Sequence, residues 1–186
     1  MRTSAILIAL SLFAVTACGG DAPDAKSPAS AKDSGGSSGG GGGDGKGMKE
    51  GDKASNFNLD SMNGAGKLTV APGKVTIVDF WATWCEPCKK SFPKYQELYV
   101  KYKASGLEIV AVSVDDDKGE IPNFAKTHGA KFPVGWDDGH KIAEKWKPAG
   151  MPSAYIVDKT GTVKFVHKGY HDGEENEIEK EIKGLL

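Results

Sequence analysis

The stretch FWATWCEPCKKSFP, residues 80–93, holds two of the chain's three cysteines, Cys85 and Cys88, separated by Glu-Pro. Three chemistries suit a Cys-x-x-Cys pair: a reversible disulfide, half of a metal site, or a structural staple. A disulfide at this spacing closes a very small loop. It restrains little chain entropy and so makes a poor staple. It makes a good switch, because a second thiol one helical turn away can attack a mixed disulfide formed at the first. A metal site needs two further ligands, and none of His128, His140, His167 and His171 is spaced from the cysteines as in a zinc module. His167 and His171 are four apart, but Gly169 between them argues against a helical pair, and each reads as a surface histidine. The redox pair is the favoured reading, with no metal. A binding module that holds copper or zinc through the two thiolates is the alternative, and it predicts stoichiometric metal in the reduced protein.

The neighbouring residues sharpen the redox reading. A helix is expected to start at Cys85, where unpaired N–H groups and the positive end of the helix dipole favour a thiolate. Glu86 opposes this by like-charge repulsion, which predicts a less acidic Cys85 and a more reducing pair. Pro87, in the first turn, sacrifices no needed N–H. Pro93 falls further along the helix, where a lost hydrogen bond is expected to kink it. Asp79 interrupts an apolar run and shares a face with Ile77 and Trp81 by two-residue alternation. A carboxylate buried there is costly without a partner, and its pKa should rise. Trp81 is expected in the core and Trp84 partly exposed beside the sulfurs. Asp115, Asp116 and Asp117 read as the charged N-terminus of a helix.

These side chains need a scaffold, and the pattern supplies one. VTIVDFW (75–81) and LEIVAVSV (107–114) are apolar and β-branched, as central strands buried on both faces should be. Phe92, Tyr95, Tyr99 and Tyr102 form one helical stripe. Residues 119–128 and 139–146 look helical. FNL (57–59) and KLTV (67–70) flank a turn signal at Asn63-Gly64, and SAYIVD (153–158) and TVKFVHK (162–168) flank another at 159–161. Residues 173–183 form an amphipathic helix with Ile178 and Ile182 on one face. This order predicts an α/β fold whose first strands are parallel and whose last pair is antiparallel.

The N-terminus differs in character. Arg2 precedes the apolar run AILIALSLFAV (5–15), which has signal-peptide length and is short for a bilayer span. It ends in Val-Thr-Ala-Cys at 15–18, similar to a bacterial lipobox, so residues 1–17 read as a lipoprotein signal peptide and Cys18 as the lipidated residue. Residues 18–47 are rich in Gly and Ser and hold no large apolar side chain, the composition of a flexible tether. Its reach is on the order of 30 Å. The folded domain is then 48–186. A location in the cell envelope follows, lipid-anchored to a membrane with the domain on the periplasmic or other extracytoplasmic side, where thiols tend to be oxidised. The net charge of −1 gives no electrostatic case for nucleic acid.

VDFWATWCEPCKKSFP, with Gly-Met-Pro-Ser at 150–153, resembles the thioredoxin superfamily, and most closely its TlpA/ResA-like membrane-tethered thiol–disulfide oxidoreductases. The N-terminal hairpin and the insertion before the proline loop favour this branch over plain thioredoxin. The resemblance implies a thioredoxin-like fold: a central mixed β-sheet flanked by helices, with an extra N-terminal β-hairpin. It implies that Cys85 is the nucleophile and Cys88 the resolving thiol. It implies a cis Pro152 facing them, with Met151 offering backbone to a substrate strand, and places Trp84 and Pro87 in the substrate-binding surface. By the same resemblance Asp79 is a general base for Cys88, and an acidic residue near Asp116 lies close to the site. Ser153 stands where most of the family has threonine. Glu86-Pro87 is similar to the reductants of cytochrome c maturation, which makes apocytochrome cysteines the leading substrate expectation. The chain shows no second dithiol and no cofactor motif, so the implied partners are a protein disulfide substrate and a membrane electron-donor thiol protein. A redoxin-type peroxidase would need a peroxidatic cysteine without an adjacent resolving thiol. A net oxidase would need a more stabilised thiolate than Glu86 suggests.

Overall fold

The structure, a computed structural model, describes residues 47–186; the expected signal peptide, Cys18 and nearly all of the expected tether lie outside the described residues. At its centre is β3 (Val75–Trp81), buried along its whole length as an uninterrupted β-branched and aromatic run requires. β4 (Leu107–Ser113) runs parallel to it, in register from Val75 opposite Leu107 to Trp81 opposite Ser113. β5 (Val134–Trp136) adds a third parallel strand beyond β4. On the other side of β3 lies β6 (Ser153–Val157), antiparallel, followed by β7 (Val163–Lys168), also antiparallel. The order is β5-β4-β3-β6-β7, the mixed sheet expected from the sequence.

Four α-helices accompany the sheet: α1 (Glu86–Tyr102), α2 (Ile121–Thr127), α3 (Ala143–Trp146) and α4 (Glu174–Leu185). α1 buries Phe92, Tyr95 and Tyr99 and runs on through Pro93. Its Phe92 ring lies 4.6 Å from that of Trp81, which also meets Phe124 of α2 at 4.6 Å. Trp81 and Asp79 point to the same side of β3, so Asp79 faces α1. On the opposite side, Phe80 packs 5.7 Å from Trp146 of α3 and 5.8 Å from Tyr155 of β6. α4 buries Ile178 and Ile182, the face its periodicity announced.

The N-terminal hairpin is present but short, β1 (Leu59–Asp60) against β2 (Lys67–Leu68). Its backbone is spent elsewhere: Met62 N donates to Val134 O, and the Asn63 amide donates to the carbonyls of Ala130 and Phe132. The hairpin thus closes over β5. Gly135 permits this, since a Cβ there would stand 2.9 Å from the Leu68 side chain. The span 139–146 is not one helix. Asp137, buried, accepts from Ile142 N and Ala143 N at 2.8 to 3.0 Å. That cap starts α3 late, after a separate 3-10 turn at Asp138–His140 whose Gly139 has φ 70°.

Candidate redox site

Cys85 leaves the sheet one short loop after β3 and caps α1, with an extended backbone. Its Sγ accepts from Cys88 N at 3.3 Å, so the sulfur already sits on an unpaired donor of the helix N-terminus. Glu86 and Pro87 open the helix. Cys88 lies one turn on, and the two sulfurs are joined in a disulfide with Cα atoms 5.3 Å apart. Both cysteines are buried, whereas Trp84, immediately before the pair, is 67% exposed. Trp84 borders a surface cleft of about 300 Å³ with Thr83, Glu120, Asn123, Phe124, Thr127 and His128. Burial, then the nearby Lys89 ammonium, hold the His128 imidazole below its usual pKa.

The loop that carries Trp84 and Cys85 is pinned by a residue assigned to a helix terminus from sequence. Asp115 is buried beyond the end of β4 and caps no helix. Its carboxylate accepts from Thr83 N at 3.0 and 3.1 Å, from Thr83 Oγ1 at 2.7 Å and from Ser113 Oγ at 2.6 Å. Asp116 is exposed and pairs with His140 at 3.2 Å. Asp117 binds Gly119 N ahead of α2. Among the three, Asp115 is the one that holds the site loop, and only the pairing of Trp81 with Ser113 could have pointed to it.

The Met151–Pro152 peptide is cis, as the resemblance implied. Ser153 pairs with Phe80, so the proline lies at the same end of the sheet as Trp81 and the departing cysteine loop. Ser153 Oγ donates to Gly150 O at 2.8 Å, tying the loop to itself, and Gly169 N donates to Pro152 O at 2.7 Å.

Glu86 has a partner that the sequence argument did not count. Its carboxylate is exposed and accepts from Lys89 Nζ at 2.7 Å. That hydrogen bond lowers its pKa and also offsets its charge beside Cys85. The repulsion argued from sequence is therefore weakened by the first turn of the same helix.

On the face of β3 turned toward α1, Asp79 is fully buried and neither carboxylate oxygen has a hydrogen-bond partner. Burial, and secondarily the charge of Glu174, push its pKa well above the ordinary carboxylate value. Tyr95 of α1, seven residues past Cys88 and so on the same helix face, is likewise raised, by burial and then by Asp79.

His167 corrects the surface reading of the histidines. Its side chain is only 10% exposed, with Nδ1 3.1 Å from Glu174 Oε1 and Nε2 2.7 Å from Glu181 Oε2. Among the described residues no group of three or more His, Cys, Asp or Glu side chains is arranged to hold a metal ion.

Comparison with known proteins agrees with this geometry. The family model described as AhpC/TSA matches residues 50–166. Thiol-disulfide oxidoreductase ResA of Bacillus anthracis is 38% identical over 117 residues, covering 62% of this chain and 68% of the relative. ResA of Bacillus subtilis (strain 168) is 37% identical over 123 residues, covering 66% and 69%. The crystal structure of a candidate thiol:disulfide interchange protein DsbE from Chlorobium tepidum superposes with a TM-score of 0.69 at 32% identity, covering 74% of this chain and 98% of that one.

Proposed function

The chain belongs to the AhpC/TSA family and is a thioredoxin-like thiol–disulfide oxidoreductase related to ResA; from that premise we propose that it works in the cell envelope as a reductant of protein disulfides. The observation that carries the reading is the Cys85–Cys88 pair at the N-terminus of a helix that packs on the face of β3 carrying buried, unpartnered Asp79. In the reduced protein the Cys85 thiolate, favoured by the N–H groups of α1, attacks one sulfur of a substrate disulfide. A mixed disulfide forms and the other substrate sulfur leaves as thiolate. Asp79 takes the proton of Cys88, whose thiolate then attacks Cys85 Sγ and expels the second substrate thiolate. Two electrons pass to the substrate and the protein disulfide closes.

Substrate backbone docks along Met151 beside cis Pro152, with Trp84 and Pro87 forming the adjoining surface. Residues 1–17 act as a lipoprotein signal peptide, Cys18 carries the lipid, and residues 18–47 tether the domain. A membrane thiol protein returns the electrons, and apocytochrome c haem-attachment cysteines are the proposed substrate. The Glu86-Pro87 similarity supports that last step.

The test is the midpoint potential of the Cys85–Cys88 pair, equilibrated against thiol–disulfide buffers. A value at or below about −230 mV is expected for a reductant. A value above about −180 mV would make the protein an isomerase or oxidase and sink the cytochrome reading.

A further inference from the structure

Asp79 is sealed from solvent, so a proton it takes from Cys88 needs a way out. The sheet register suggests one. Asp79 of β3 is opposite Ala154 of β6, and Ala154 is opposite His167 of β7. Directly opposed residues share a face, so all three point toward the α1 and α4 side. Two strand spacings separate Asp79 from His167, about 10 Å. The side chain between them is only a methyl group, and Glu174 from the first turn of α4 stands at the His167 end of the gap. Glu174 is 5% exposed, bonded to His167 Nδ1, and accepts from His171 N at 3.1 Å. From the other imidazole nitrogen the chain continues to Glu181. Glu181 lines a surface cleft of about 370 Å³ with Phe165, Glu177, Lys180, Gly184 and Leu185.

We propose that Glu174, His167 and Glu181 form a proton path between buried Asp79 and solvent at the β7–α4 cleft. The path rests on the assignment of Asp79 as the base for Cys88. The transfers balance. Asp79 carboxylic acid, which makes no direct hydrogen bond to Glu174, gives its proton through one intervening water to the Glu174 carboxylate. Glu174 passes it to Nδ1 of a His167 carrying its hydrogen on Nε2, while that Nε2 hydrogen moves to the Glu181 carboxylate and then to water. The reverse sequence returns a proton to Cys88 when the disulfide is reduced. Behind burial, the larger cause, the Glu174 charge raises the pKa of both Asp79 and Tyr95. The titratable groups that act on Asp79 are Tyr95 of α1 and Glu174 of α4; around Glu174 they are His167, His171 and Tyr170, with Glu181 on the far nitrogen of His167.

The test uses the reduced full chain and excess glutathione disulfide, following release of the mixed disulfide by rapid quench from pH 5 to 9. Asp79→Asn, Glu174→Gln and Glu181→Gln are compared; the last lies at the rim, where folding is least disturbed. Glu174→Gln and Glu181→Gln are expected to slow release roughly tenfold or more at neutral pH. Added imidazole, a mobile proton carrier, is expected to restore the rate. Full-speed release in both variants, with Asp79→Asn slow, overturns the path and leaves the Asp79 assignment standing. Slowing that imidazole does not relieve means a structural role and also overturns it. Unimpaired Asp79→Asn removes the base assignment and the path with it.

Discussion

At the residue scale the decisive side chain is Asp79. Its charge would be buried with no hydrogen-bond partner, so the folded protein holds the proton to higher pH than the unfolded chain does. Below about pH 4, the unfolded aspartate value, both states are protonated and burial costs no charge. As pH rises the unfolded chain ionises first, and stability falls until the folded-state pKa is passed. Asp79→Asn removes that slope. The variant is expected to exceed the natural protein in stability at pH 7, by about 1.4 kcal/mol for each pH unit over which the folded protein keeps the proton that the unfolded chain has lost. The gain should vanish near pH 4 and below. Urea unfolding at the two pH values checks this, and equal stability at pH 7 would contradict it. The need to bury Asp79 was legible from alternation in VDFW alone. Its second neighbour, Glu174, was not, because the pairing of Asp79 with Ala154 and of Ala154 with His167 joins segments far apart in sequence.

At the scale of elements, sequence patterns named those parts whose signal is local. β3, β4, the α1 stripe, the C-terminal hairpin and α4 all carry their own periodicity and appear where it placed them. β5 does not, being three residues with a glycine at its centre, held by pairing with β4 and by the hairpin above it. The same limit hid Asp115. In sequence it is one of three aspartates after a strand, and its neighbours argue for a helix cap. In the fold it reaches across from β4 to the cysteine loop, where charge-assisted bonds to Thr83 and Ser113 set the position of Trp84 and Cys85. Asp115→Ala leaves three donors, Thr83 N, Thr83 Oγ1 and Ser113 Oγ, without their acceptor and is expected to cost about 3 kcal/mol. Exposed Asp116→Ala should stay within about 0.5 kcal/mol. Chemical denaturation of the two variants side by side decides between this arrangement and a shared helix-capping role, which would make the two costs similar.

For the whole molecule, the question is what the proposed leader and tether would add to a domain that carries its own site. No helix of the described residues is long and apolar enough to cross a membrane. The lipobox-like Val-Thr-Ala-Cys at 15–18 offers that attachment. Under the proposed anchoring, a tether of about 30 residues would confine the domain near the surface, at effective concentrations that reach the millimolar range for partners in the same membrane. Thiol exchange with a soluble disulfide has no use for this confinement, since both cysteines, Asp79 and the cis-proline loop lie in the domain. Exchange with the proposed membrane-held electron donor would depend on it. Replacing residues 1–18 by a cleavable secretory leader should therefore move the protein to the soluble envelope fraction and leave its midpoint potential and its rate with glutathione disulfide unchanged. Its steady-state reduction in cells should fall, read as the fraction of Cys85–Cys88 trapped as dithiol by alkylation. Retention in the membrane after that replacement would show that the domain itself holds the attachment. Unchanged reduction in the soluble form would show that its donor is not confined to the membrane.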